Sequence, residues 1–184
     1  MLKLSDNPSI LSPCVDSLTE LSGRWWVAHT KARFEKAFAW ELHHRDIGYF
    51  LPMAKRVRIY RGKKQSVMLP LFTSYVFFCG TEMDRYQALA TNRLCQTIEV
   101  FDQENLILQL SAIEKALLYK ADLDTYPHLP IGAHCRITSG PMIGTEGIII
   151  ERKDAKARMV LEITILGQGA VIEIDSDLLE IANS

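Results

Sequence analysis

Partway along this 184-residue chain the spacing of the apolar residues changes, and that change limits the fold more than any other feature. From Gly132 onward the period is two. Cys135-Arg136-Ile137, Gly147-Ile148-Ile149-Ile150, Arg158-Met159-Val160-Leu161-Glu162-Ile163 and Val171-Ile172-Glu173-Ile174 each read as a short strand. The 54 residues of 131–184 therefore predict a small, closed, SH3-like β-barrel, because closure hides edges that a flat sheet would expose. Gly140, Gly144, Gly147 and Gly167 fall at the expected turns. An interior Gly costs a helix about 1 kcal/mol, so the segment is expected to be strand and not helix.

Upstream of that point the two periods alternate. Trp25 to Thr30 reads as a buried strand. Phe34, Ala37, Phe38 and Leu42 then fall on one helical stripe, with Arg33, Lys36, Trp40, His43 and His44 opposite and Gly48 as the expected stop. Lys55 to Tyr60 alternates basic and apolar residues, Arg61-Gly62-Lys63-Lys64 reads as a hairpin turn, and Ser66 to Leu69 returns. Tyr75 to Cys79 is the expected central strand, followed by a helix from a Thr81 cap to Ala90 and a strand over Gln96–Phe101. Asn105 is the expected cap of a last helix carrying Leu106, Leu110, Ile113, Leu117 and Leu118. An antiparallel sheet flanked by helices accommodates this order, so the whole chain is of the α+β class. The expected organisation is a flexible tail over 1–23, a first domain over 24–118, a linker over 119–130 and a β-domain over 131–184. Pro127 and Pro130 mark the linker; Asn7-Pro8 and Ser12-Pro13 mark the tail.

The net charge of −1 hides an asymmetry: residues 24–118 carry 14 Lys/Arg against 9 Asp/Glu, and residues 131–184 carry 5 against 8. Opposite balances point to different partners for the two halves. Cys14, Cys79, Cys95 and Cys135 are scattered without a CxxC pair, which fits reduced thiols in the cytoplasm and no disulfide scaffold. No apolar run reaches the roughly 18 residues of a membrane helix, and the first 22 residues make a poor signal peptide. Catalytic motifs are missing as well. Gly167-Gln168-Gly169 lacks a third glycine and precedes a strand, Gly62-Lys63 has no glycine five residues before it, and His43-His44 diverge on a helix.

Several stretches, in this order, resemble the NusG family of transcription elongation factors. They are the Trp25-Trp26-Val27 strand, Glu35 early in the first helix, Pro52, the basic hairpin 61–64 and Pro70-Leu71-Phe72-Thr73-Ser74-Tyr75-Val76-Phe77. Thr73-Ser74 stands where the family usually has Pro-Gly. Gly132, Ile137, Gly140-Pro141, Gly147 and Ile165-Leu166-Gly167 resemble its KOW domain. The direct run from Tyr49–Leu51 into the basic hairpin is similar to the specialised RfaH-like branch.

The resemblance implies an N-terminal (NGN-like) domain that docks on the clamp helices of RNA polymerase and spans the DNA cleft. It also implies a KOW domain that recruits a small-subunit ribosomal protein or a termination factor. Such a protein suppresses pausing or termination, needs no cofactor, is not an enzyme and acts as a monomer. His29, Phe72, Tyr75 and Phe77 are the candidate clamp-docking residues. Arg85, Tyr86 and Gln87 match the contact with the opposite side of the cleft. Met142, Ile143 and Leu166 match the KOW partner site, with Leu166 where a Phe is common. Lys31, Arg33, Lys36 and Trp40 suit the non-template DNA strand, since cations follow phosphates and an aromatic stacks an unpaired base. Arg93 matches a basic position of RfaH-like relatives. Each group has a plainer reading, as core aromatics or as a solvated charged face. Two other functions compete. A ribosome-associated or RNA-binding KOW protein is disfavoured by the acidic balance of 131–184. A small enzyme using Cys79 or Cys95 lacks a local base.

Overall fold

The computed structural model describes residues 7–60, 63–119, 124–126, 132, 134–153, 156–175 and 178–182. Backbone contacts divide the chain into two compact units, Met1–Gln103 and Glu104–Ser184.

The first unit is built on a five-stranded antiparallel sheet. Its strands are β1 (Leu11–Ser12), β2 (Arg24–Thr30), β3 (Gly48–Phe50), β6 (Tyr75–Gly80) and β7 (Leu94–Glu99), in the spatial order β1-β3-β6-β2-β7. Strands β4 (Met53–Tyr60) and β5 (Lys63–Pro70) form a separate two-stranded hairpin, with Tyr60 opposite Lys63. The turn expected at Arg61-Gly62 lies outside the described residues, as do the Arg58 and Lys63 side chains. Alternation along β6 is as the sequence predicts. Val76 and Phe78 join Trp26, Ala28, Phe38 and Leu42 in one core cluster, while Phe77 pairs with Val27 on the other face. Phe78 stacks on Trp26 and meets Phe38 edge-on.

Helix α1 (Glu35–His43) supplies Phe38, Ala39 and Leu42 to that cluster. It ends well before Gly48. Asp46 takes a left-handed φ of 56°, which a short polar side chain tolerates, and this turns the chain out of the helix. Helix α2 (Glu82–Ala90) starts at a Thr81–Asp84 capping box, in which each side chain accepts from the other's backbone N–H.

Of the segment expected to be a loose tail, residues 1–6 lie outside the described residues, and the part from residue 7 onward is folded. Leu11 and Ser12 pair with Phe50 and Tyr49 along the open edge of β3, and Leu18 is completely buried. The open edge of β3 offers unpaired backbone N–H and C=O groups as a template for that pairing.

Helix α3 (Gln103–Leu118) starts on the last residue of the first unit, two residues ahead of the expected Asn105 cap, and carries the chain into the second. At its start, Gln103 accepts from the Trp25 N–H and donates to the Trp25 and Val100 carbonyls, bonds the local pattern does not reveal. Six strands follow: β8 (Asp124–Tyr126), β9 (His134–Ile137), β10 (Glu146–Lys153), β11 (Lys156–Ile163), β12 (Gln168–Asp175) and β13 (Leu179–Ile181). They form one antiparallel sheet in the order β13-β9-β10-β11-β12-β8. Strand β8 lies inside the stretch expected to be linker, paired from Asp124 to Tyr126 with Val171 to Gly169. Among the described residues β8 and β13 are the two ends of this order. Gly147 sits inside β10 and not at a turn. A Cβ there would come within 2.4 Å of the Val160 carbonyl oxygen on β11, so close strand approach requires the glycine. Gly167 does serve as a turn residue, ending the 3-10 turn Thr164–Leu166 at φ 60°. The chain as a whole is α+β, with a mixed first unit and a small β-domain.

Candidate functional site

The first candidate surface is the turn leading into β6. Ser74 adopts a left-handed φ of 66°, a conformation that costs an L-residue roughly 1–2 kcal/mol. Two backbone contacts and one side chain hold it. Its N–H donates to Glu35 Oε1 at 2.7 Å, its carbonyl accepts from the Thr30 N–H at 2.8 Å, and the Tyr75 N–H reaches Phe72 O. Glu35 is the first residue of α1 and only 5% exposed. This carboxylate therefore joins the start of the helix to the turn that aims Tyr75. Buried acidic side chains are rare unless paired. An acidic residue at the head of an otherwise apolar helical face was the available signal for this role.

Tyr75 lies opposite His29 across the β2–β6 ladder, and the two rings stack with centroids 5.1 Å apart at 23°. Both are half-buried. Phe72 and Phe77 are different: they are 1% and 0% exposed and meet edge-on at 6.0 Å. Of the four residues expected to face the clamp, the structure leaves solvent access to the His29–Tyr75 pair and uses the two phenylalanines as core.

The cationic candidates gather around the start of α1. Lys31 Nζ donates to the Asn92 carbonyl (2.8 Å) and Asn92 Oδ1 (3.1 Å), and its backbone N–H donates to Arg93 O. These bonds bring Arg93 beside a helix 50-odd residues earlier in the chain. The Arg93 guanidinium lies 5.3 Å from the Phe34 ring centroid and donates to Glu41 Oε1 at 3.2 Å. Glu41 also accepts from Arg45, and these two guanidinium bonds, that to Arg45 foremost, hold its carboxyl below the usual range. Arg33 is exposed, with a left-handed φ of 65°.

Lys36 points inward. Its ammonium donates to Asn7 Oδ1 (2.6 Å) and to the Met68 carbonyl (2.5 Å). Burial pushes its pKa down, and the nearby Glu35 charge partly offsets this. Trp40 is half-buried, stacks on His44 (5.9 Å, 24°) and meets His43 edge-on (5.6 Å).

A third group lies on α2. Arg85 sits 5.1 Å from the Tyr86 ring centroid, donates to Glu82 at 2.8 Å and reaches the Thr97 hydroxyl at 3.3 Å. Tyr86 is 59% exposed and Gln87 is exposed beside it. In the second unit Met142 is buried, Ile143 is 58% exposed, and Leu166 is half-buried on the 3-10 turn. The outward apolar groups there are thus Ile143 and, in part, Leu166.

The family model described as "Transcription termination factor nusG" matches residues 23–114, half of the chain. The chain belongs to the NusG family. By that membership it is a transcription elongation factor of a non-enzymatic family whose members bind RNA polymerase. Among solved structures it is similar to NusG of Thermotoga maritima. The identity is 17% over 87% of this chain and 97% of that one, with a TM-score of 0.46. It is also similar to the MjSpt4:Spt5 complex in conformation B, at 14% identity over 87% and 97%, with a TM-score of 0.25. No curated protein matches. Among the described residues no helix is long and apolar enough to cross a membrane.

Proposed function

We propose that this NusG-family protein is an elongation and antitermination factor that docks on the clamp helices of RNA polymerase through the His29–Tyr75 surface. Residues 24–118 carry that activity. Lys31, Arg33 and Arg93 face the non-template strand, with Trp40 as a stacking platform, and Tyr86 and Gln87 meet the opposite side of the cleft. Ile143 and Leu166 of the β-domain recruit a further factor, a small-subunit ribosomal protein or a termination factor. The protein acts in the cytoplasm on transcribing polymerase, and bridging the cleft suppresses pausing.

One observation carries the reading: Glu35 ties the turn that presents the His29–Tyr75 stack to the start of the cationic helix. A surface for a protein helix and a surface for a nucleic-acid strand thereby sit on one rigid corner of the first unit. Half-exposed aromatic rings on a rigid strand are suitable anchors for a protein interface. Tyr75→Ala and His29→Ala are expected to lower the affinity of the full chain for core RNA polymerase by about tenfold or more, with folding intact. This corresponds to the ~1.4 kcal/mol or more of an interface anchor. Polymerase retention equal to that of the unmodified chain in both variants would refute the clamp assignment.

A further inference from the structure

The family match begins at residue 23, yet the chain ahead of it is docked on the first unit at several points. The Leu51 N–H donates to the Ile10 carbonyl at 2.7 Å, Ser9 Oγ and Tyr49 OH are 3.1 Å apart, and Ile10 packs against the core cluster. Leu18, on the turn Leu18–Glu20, is fully buried. From this anchored segment two side chains reach α1. Asn7 Oδ1 accepts from Lys36 Nζ at 2.6 Å, and Ser12 Oγ lies 3.1 Å from His43 Nδ1. Lys36, Trp40 and His43 are spaced i, i+4 and i+7, one stripe of the helix. The segment thus holds the polar groups on both sides of Trp40.

We infer that residues 7–22 are an autoinhibitory strap, which competes with single-stranded nucleic acid for Lys36 and His43 on α1. The inference rests on the reading of α1 as the face for the non-template strand and adds its regulation. A single strand is gripped by cations that follow its phosphates and by an aromatic that stacks its bases. An ammonium bonded to a neutral amide and a backbone carbonyl, and partly withdrawn from water, is not available to a phosphate. Releasing Asn7 returns that cation to the stripe beside Trp40. The direction of the Lys36 pKa agrees, since burial that disfavours the charged form is relieved when the group turns outward.

The test uses the full chain and a fluorescent, mixed-sequence single-stranded oligodeoxynucleotide, with affinity read by anisotropy across a salt series. Asn7→Ala is expected to bind about fivefold tighter than the unmodified chain, the scale of one ordinary net hydrogen bond released. Its log K against log salt is expected to steepen by about 0.7, the value for one more phosphate on a single strand. Ser12→Ala changes the second tether and is expected to tighten binding in the same direction. Lys36→Met in the Asn7→Ala background is expected to return the affinity to that of the unmodified chain. Circular dichroism and thermal melting confirm that each variant is folded. If Lys31→Ala with Arg33→Ala weakens binding but Asn7→Ala and Ser12→Ala leave it unchanged or weaker, the strap is overturned while the face stands. If Lys31→Ala with Arg33→Ala does not weaken binding, the face reading fails and the strap fails with it.

Discussion

Replacing Glu35 by alanine tests whether one buried carboxylate holds the corner on which the proposed surfaces depend. The Glu35 Oε1 accepts from the Ser74 N–H at 2.7 Å in a partly buried turn, and Ser74 sits at a left-handed φ of 66°. A hydrogen bond to a charged group is worth about 1.5–3 kcal/mol, and a stranded buried N–H costs about 1–3 kcal/mol. These describe the same loss and are not added. Removing the carboxylate also relieves its own desolvation, which offsets part of the loss. The expected net destabilisation is about 2 kcal/mol. For a chain of this length that lowers the melting temperature by roughly 4–8 °C. Glutamine keeps a carbonyl oxygen in reach, so Glu35→Gln is expected to cost less than about 1 kcal/mol. Adding Ser74→Gly to Glu35→Ala relieves the left-handed conformation and is expected to recover about 1 kcal/mol. Thermal melting gives the stability order, and amide hydrogen exchange at Ser74 gives the local effect. If Ala and Gln variants melt together and Ser74 exchange is unchanged, Glu35 does not clamp the turn and does not make the corner rigid.

Two further outcomes follow from the titratable groups. Burial, with a smaller contribution from Asp84, pushes the Cys79 thiol up to about 12, whereas Cys14 and Cys95 are exposed. Iodoacetamide near neutral pH is expected to label Cys14 and Cys95 in the folded chain and Cys79 only after denaturation, as mass spectrometry of timed digests would show; rapid native labelling of Cys79 would contradict its burial. Glu41 has a carboxyl held below its ordinary value of 4.5 by Arg45 and Arg93, so its stabilising effect is complete above that value and is lost as pH falls through the lower folded value. Urea unfolding at neutral and at strongly acidic pH is expected to show a smaller acid loss in Glu41→Gln than in the unmodified chain, and equal losses in the two proteins would refute the assignment.

What could be read from the sequence was local. The Phe34, Ala37, Phe38 and Leu42 spacing describes α1 because a helix repeats every 3.6 residues, and three of the four lie inside it at the expected places. The Thr81 cap was legible because its partner, Asp84, is three residues away. Alternation correctly separated Tyr75 and Phe77 from Val76 and Phe78, because successive strand residues point to opposite faces whatever surrounds them.

What tertiary structure alone decided was which of those faces is covered and what each polar group meets. Period two puts Phe77 and Tyr75 on one face, but it cannot say that the first is fully buried and the second half-exposed. The strand at Leu11–Ser12 is too short to show a period, and it exists because the β3 edge, nearly 40 residues onward, supplies its partners. The same holds for Asp124–Tyr126, which pairs with β12 across more than 40 residues. Lys36 reads as part of a charged helix face, yet its ammonium bonds to Asn7, 29 positions earlier, and to Met68, 32 positions later. A side chain's identity sets the bonds it is able to make. Only the folding of distant segments against one another chooses among them, because that choice depends on which groups lose water together.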